Sequence, residues 1–251
     1  MKYVLTMLSL AATTALAGGT LSGDIRILSD ALGYDLQYRV YAPEGVESAE
    51  DVPVLFITDG PGYIRQGRMP RVLDRLIKSA RIAPVIVVFV DSRDPDDLKV
   101  NRRNREFFCN ADYLRFYTDE LIPAIEQDFP VGKDRESRAI LGVSFGALNA
   151  ACFGLLGYET FSGVGMHSPA NYPVKNLLPA YEQAPKLPLR IFLSTGSPND
   201  NTVANRKFRN LLRDKGYDMK YVQTDAGHNW GNWRPLVDDV LLYFYGETER
   251  E

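Results

Sequence analysis

The sequence predicts an α/β domain: a mostly parallel central sheet with an antiparallel N-terminal edge hairpin and helices on both faces. Three observations carry this expectation. Short apolar runs alternate along the chain with segments of helical period, the pattern of a sheet wound by crossover helices. Most of those runs lack strand alternation, so both their faces must be covered. The 234 residues from Gly18 to Glu251 suit one sizeable core rather than two.

Residues 1–17 come first, with Lys2 ahead of an apolar run from Val4 to Ala17 that ends Ala15-Leu16-Ala17. That order of charge, apolar stretch and small residues is a secretory signal, and the run falls short of the roughly twenty residues a membrane span needs. A periplasmic or secreted protein is expected, with residues 18–251 as one domain and no stable membrane insertion once the signal is removed. Strands are then expected at Asp24–Leu28 and Leu36–Tyr41, the edge hairpin, followed by Val54–Thr58, Val85–Val90, Ala139–Leu141, Gly163–Met166, Leu189–Leu193 and Lys220–Gln223. Helical patterns fall between them at Arg71–Ser79, Ala111–Asp128, Phe145–Leu156, Val203–Lys215 and Trp233–Tyr245. The second of these has Asn110 as N-cap and an apolar stripe of Leu114, Tyr117, Leu121 and Ile125, with Pro123 expected to kink or break it. The proline-rich stretch Ser168–Pro188 reads as an irregular insertion over the active-site end.

The chemistry centres on Gly142-Val143-Ser144-Phe145-Gly146, placed between a strand and a helix. Gly-x-Ser-x-Gly in that setting is a nucleophile elbow, a turn too tight for neighbouring β-carbons that holds a serine hydroxyl out of the backbone. Such a serine needs a base that titrates near neutrality, and the chain has two histidines, His167 and His228. His228 follows the last strand and precedes the closing helix, which makes it the expected base; His167 ends a strand and is expected to line the site or pack locally. A carboxylate must orient the imidazole. Asp200 is the expected acid, in the loop before the last crossover helix, and Asp225 is the rival.

An oxyanion hole is expected from the backbone N–H of Phe145 and a second N–H in Asp59-Gly60-Pro61-Gly62-Tyr63. Pro61 has none, which leaves Gly60, Gly62 or Tyr63, with Gly60 as the candidate. The loop Asp91–Asn110 is rich in both charges and is expected near the mouth of the site, so Arg103 and Arg105 are candidate substrate-binding residues, with Tyr63 and Trp230 as aromatic walls. Further aromatic walls are possible at Tyr113, Tyr172 and Trp233, for most of which packing is the commoner role.

With 29 basic against 32 acidic side chains the net charge is −3, which argues against general nucleic-acid binding. Two cysteines and two histidines make no spaced metal cluster, and neither a metal nor a cofactor is expected. Cys109 and Cys152 are expected as two buried thiols. The expected partner is a small-molecule ester.

Arg103-Asn104-Arg105-Glu106-Phe107-Phe108-Cys109-Asn110-Ala111-Asp112-Tyr113, running into Asp119-Glu120-Leu121-Ile122-Pro123 and then the elbow, resembles the enterochelin-esterase branch of the esterase D family. Asp59-Gly60, Asn205-Arg206 and Gly227-His228-Asn229-Trp230 add to the resemblance, which covers nearly all of residues 18–251. It implies an α/β-hydrolase fold and a serine hydrolase of carboxylic esters, with Ser144 as nucleophile, His228 as base and Asp200 as acid. For this branch it also implies hydrolysis of siderophore trilactones; neighbouring branches cleave feruloyl and acetyl esters of polysaccharides or S-formylglutathione. Against these stands a third expectation, a non-catalytic ligand-binding protein on the same fold. The front domain of the cytoplasmic enterochelin esterases has no counterpart in the chain.

Overall fold

The computed structural model describes residues 18–246; the expected signal at 1–17 lies outside the described residues. Strands β1 (Thr20–Leu21), β2 (Ile25–Ser29), β3 (Tyr34–Ala42), β4 (Val54–Ile57), β5 (Ile86–Asp91), β6 (Arg138–Val143), β7 (Gly163–His167), β8 (Arg190–Thr195) and β9 (Asp218–Gln223) form one sheet in the order β1-β3-β5-β4-β6-β7-β8-β9. β1 and β2 both pair antiparallel with the outer side of β3, and β3 pairs antiparallel with β5. From β5 onward every pairing is parallel. This is the α/β-hydrolase fold with its expected edge hairpin.

Along β4, Val54 and Phe56 face one core and Leu55 and Ile57 the other, as the two-residue period of a strand requires. The first core is covered by α4 (Ala111–Arg115), α5 (Ile122–Asp128), α6 (Phe145–Leu156), α7 (Leu177–Gln183) and α8 (Thr202–Asp214). Tyr117 and Phe161 meet Phe56 edge-on there, and Tyr117 meets Phe153 and Phe161 edge-on in turn, geometry the aromatic quadrupole favours. α1 (Gly60–Arg65), α2 (Met69–Lys78) and α10 (Val237–Tyr245) cover the second core. No helix among the described residues is long and apolar enough to cross a membrane.

Several expectations are corrected. The turn after β4 is the short helix α1, because Pro61 suits a first helical turn. Asn110 does cap α4, accepting from the Asp112 and Tyr113 amides. The expected single helix over 111–128, however, contains a π-helical stretch, Phe116–Leu121, directly before Pro123, whose missing N–H interrupts the α ladder. Residues 168–188 are not wholly irregular: α7 inserts Leu177 and Tyr181 into the core, and the Tyr181 hydroxyl donates to the Ala151 carbonyl. The closing helix is divided into α9 (Trp230–Trp233) and α10.

Cys109 and Cys152 are not two thiols but a disulfide, with Cα atoms 5.0 Å apart. Phe108 packs edge-on against Phe145 at the start of α6, so the turn carrying Cys109 is laid against the helix that carries Cys152.

Candidate active site

The chain leaves β4 for β5 on one side and returns to β6 on the other. The crevice at the carboxyl ends of β4 and β6 is therefore a topological switch point, where open α/β sheets bind ligands. Asp59 and Gly60 follow β4, and Ser144 follows β6.

Ser144 has φ 57° and ψ −116°, a backbone conformation that a residue with a side chain rarely adopts. Its surroundings hold it there: its N–H donates to the His167 carbonyl, and its carbonyl accepts from Ala170 and Leu148. A β-carbon on Gly142 would lie 2.1 Å from the Gly146 backbone, and one on Gly146 would lie 2.4 Å from Thr58, so both flanking positions exclude any larger residue.

His228 Nε2 lies 2.8 Å from Ser144 Oγ, and His228 Nδ1 lies 2.7 Å from Asp200 Oδ1. The imidazole is 29% exposed and the carboxylate 0%, so the carboxylate is dry while the imidazole reaches the cleft. Burial opposes ionisation of Asp200. Hydrogen bonds from His228, the Ser168 hydroxyl and the Gly196 and Asn201 amides outweigh it and bring the carboxyl down to about 2. Asp225 is exposed and makes no hydrogen bond to His228. His167 is fully buried against Tyr63 and Phe192, and burial lowers its pKa to about 3.

Ser168, Asn232 and Trp233 complete the surroundings of the Asp200 carboxylate. Ser168 Oγ donates to Asp200 Oδ2 at 2.6 Å and accepts from Trp233 Nε1 at 2.9 Å, while Asn232 Nδ2 reaches the same carboxylate oxygen at 3.3 Å. Trp233 also packs edge-on against His228 at 4.9 Å. Sequence reasoning had no access to Ser168 or Asn232, which lie 32 residues from Asp200 in opposite directions.

Phe145 opens α6, so its amide has no partner inside the helix. In the turn after β4 the Gly62 and Tyr63 amides donate to the Asp59 carbonyl, whereas the Gly60 amide does not. Arg103 ties these pieces together. Its Nε and Nη2 donate to both Asp59 carboxylate oxygens at 2.7 and 2.8 Å, Nη2 also reaches the Val143 carbonyl at 3.0 Å, and the guanidinium lies 5.2 Å from the Phe145 ring centre.

Two open clefts meet at Ser144. One, of about 320 Å³, is bounded by Asp59, Pro61, Arg65, Arg93, Arg103 and Trp230; the other, of about 400 Å³, by Phe145, Ala170, Tyr172, Asn199 and His228. Arg103 and Trp230 therefore stand where expected. Tyr63 does not: it is fully buried, with its hydroxyl on His167 Nδ1 at 3.0 Å. Arg105 also lies outside both clefts, over the Tyr34 ring. Most arginines of the charged loop are neutralised within the protein, Arg93 by Asp91, Arg102 by Asp94 and Arg103 by Asp59. No cluster of metal-ligating side chains occurs among the described residues.

Comparison with known proteins agrees with this architecture. The chain is 26% identical over 228 residues to protein YjcH of Bacillus subtilis, covering 86% of this chain and 94% of that one. It is 27% identical over 223 residues to an endo-1,4-beta-xylanase/feruloyl esterase of Xylanibacter ruminicola, covering 84% of this chain but only 30% of that protein. The enterobactin esterase of Shigella flexneri, solved in the presence of enterobactin, superposes with a TM-score of 0.81 at 23% identity, over 95% of this chain and 62% of the other. The sequence pattern of the family described as "Putative esterase" matches residues 29–244, and the chain belongs to that family.

Proposed function

We propose that the protein is a serine esterase that works through an acyl-enzyme, with Ser144 as nucleophile, His228 as base and Asp200 as the acid that orients it. One observation carries the reading: a single imidazole spans the gap between the strained serine hydroxyl and a dry carboxylate, at 2.8 and 2.7 Å. As Ser144 Oγ attacks the ester carbonyl, His228 Nε2 takes its proton. The Phe145 and Gly60 amides receive the developing oxyanion. His228 then gives the proton to the departing alcohol, and water, deprotonated by the same nitrogen, releases the acid.

Hydrolysis of a neutral aryl ester tests this. Ser144→Ala is expected to lower kcat by about 10⁴-fold or more, and a fluorophosphonate is expected to label Ser144 in the folded protein. Equal rates for the variant and the parent would refute the mechanism, and a folded protein that resists the label would favour the non-catalytic binding protein.

The substrate we propose is the ester of a bulky aromatic molecule, with a siderophore-type trilactone first. Clefts open on both sides of Ser144 support this, since a large cyclic ester needs room for both acyl and alcohol portions. A feruloyl or acetyl sugar ester is the second reading. It is favoured by the internal pairing of the loop arginines, which leaves fewer of them for an anionic iron–catecholate complex. Trilactone, its ferric complex and a feruloyl oligosaccharide assayed side by side separate the two. Export to the periplasm or beyond is part of the proposal, supported by the pattern of residues 1–17 and by the disulfide, a bond typical of oxidising compartments.

A further inference from the structure

A groove of about 740 Å³ opens beside the Ser144 cleft and gathers five arginines: Arg65 at the end of α1, Arg68, Arg71 and Arg75 along α2, and Arg234 after α9. Among the described residues its only carboxylate, Asp238, pairs with Arg75. Among the described residues Arg65, Arg68, Arg71 and Arg234 take part in no ion pair. A chain of net charge −3 thus concentrates four uncompensated guanidinium groups in one depression.

Folding gives no reason for this placement. The amino end of a helix carries about half a positive charge and favours acidic neighbours, yet α2 has no acidic residue in its first turn, Arg68 as its N-cap and Arg71 one turn in. Arg68 also sits in the left-handed region at φ 51°, without a side-chain cap bond, where Asn, Asp or Gly would cost less. Two cations therefore stand at the helix's own positive end, and neither forms an ion pair among the described residues. An anion would relieve all three at once.

The spacing points to more than one anionic group. Arg68, Arg71 and Arg75 step by three and four residues, so they share a helix face and spread over about 10 Å. Arg234 lines the same groove. At one end stand Trp230 and Arg65, which also line the Ser144 cleft, so the groove and the cleft are continuous.

We propose that this groove is a second binding site, for a short polyanion whose carboxylate, phosphate or sulfate groups spread over about 10 Å. Guanidinium groups pair with such oxyanions in bidentate fashion. The negative charge of the rest of the chain disfavours long polyanions, which would extend past the groove. The site does not depend on ester chemistry at Ser144.

Titration calorimetry on the full Ser144→Ala protein, with trigalacturonate as the carboxylate probe and tripolyphosphate as the phosphate probe, tests it. At least one probe is expected to bind, and its affinity is expected to fall about tenfold or more between low and high salt. Binding of one probe alone supports the site and names its anion; binding of both supports it as a general polyanion site. Arg68→Gln/Arg71→Gln/Arg234→Gln is expected to weaken binding about a hundredfold and to melt at or above the parent temperature. Arg115→Gln/Lys186→Gln/Arg213→Gln removes the same charge from other exposed positions and is expected to bind as the parent does. Should the groove variant fail to fold, Arg71→Gln/Arg234→Gln reads the same loss. Neither probe binding, or equal effects of the groove and control variants, would overturn the proposal.

Discussion

Arg103 shows how one side chain can set the geometry of a site without touching the reacting atoms. Asp59 immediately precedes Gly60 and Val143 immediately precedes Ser144, so a guanidinium bonded to both holds the two strand ends in register. Burial raises the Asp59 pKa and Arg103 opposes that rise, so removing the arginine leaves a buried carboxyl that takes up a proton and releases the turn. Arg103→Ala is expected to lower kcat about a hundredfold while KM changes little, because an oxyanion donor acts mainly in the transition state. Arg103→Lys, which keeps the charge but not the fork, is expected to recover only part of that loss. Steady-state kinetics on a neutral aryl ester checks both; a rise in KM alone would instead assign Arg103 to substrate binding, the role its sequence position suggested. Asp200→Asn is expected to cost about 10⁴-fold in kcat at neutral pH, measured in the same assay, because an amide cannot stabilise the imidazolium. Ser144 and His228 could be named from the sequence as members of the candidate site because their residue types and local setting single them out, and the fold brings them together. The Arg103–Asp59 clamp was not, since its partners are 44 residues apart and an arginine in a charged loop carries no mark of its pairing.

At the scale of elements, what the sequence revealed depends on whether an element's pattern is local. The buried strands β4 to β8 stand out as short apolar runs, and their ends moved by only a few residues. The marginal elements did not stand out: β1 has two residues and α3 (Arg103–Glu106) four, too few for any period to show. The disulfide is a further case, because spacing cannot reveal that the turn holding Cys109 lies against α6. That bridge spans 43 residues and encloses α4, the π-helical stretch, α5, β6 and the elbow itself. Loop-closure entropy assigns it about 4 kcal/mol of stability. Cys109→Ser/Cys152→Ser, or reduction of the parent, is therefore expected to lower the free energy of unfolding by about 2–4 kcal/mol, read from denaturant titration. Loss of activity before any loss of secondary structure would show that the bridge braces the elbow more than the whole fold.

For the whole molecule, two buried groups bend stability in opposite directions with pH. His167 is held neutral by burial, its pKa lowered from 6.5 to about 3, so its contribution is complete above pH 6.5 and is lost as pH falls toward about 3. Glu106 is the reverse. Burial raises its carboxyl from 4.5 to about 8 despite the Tyr34 hydroxyl and the nearby Arg102 and Arg105, so its contribution is complete below pH 4.5 and is lost as pH rises through about 8. Asp200 adds a third limb, present above pH 3.8 and lost as pH falls toward about 2. Maximum stability is therefore expected between the two buried groups, on the acidic side of neutrality. Glu106→Gln keeps an acceptor for Tyr34 but cannot ionise, so it is expected to gain on the parent as pH rises from about 4.5 and to exceed it by about 1 kcal/mol or more by about pH 8. His167→Gln is expected to flatten the acid limb between about pH 6 and 4 while losing stability near neutrality, because the Tyr63 hydroxyl and the aromatic packing around the ring are disturbed. Urea midpoints measured across pH for the parent and both variants decide this. Parallel curves for parent and Glu106→Gln would mean that the carboxyl is already ionised in the fold, and the alkaline limb would then have to come from another group.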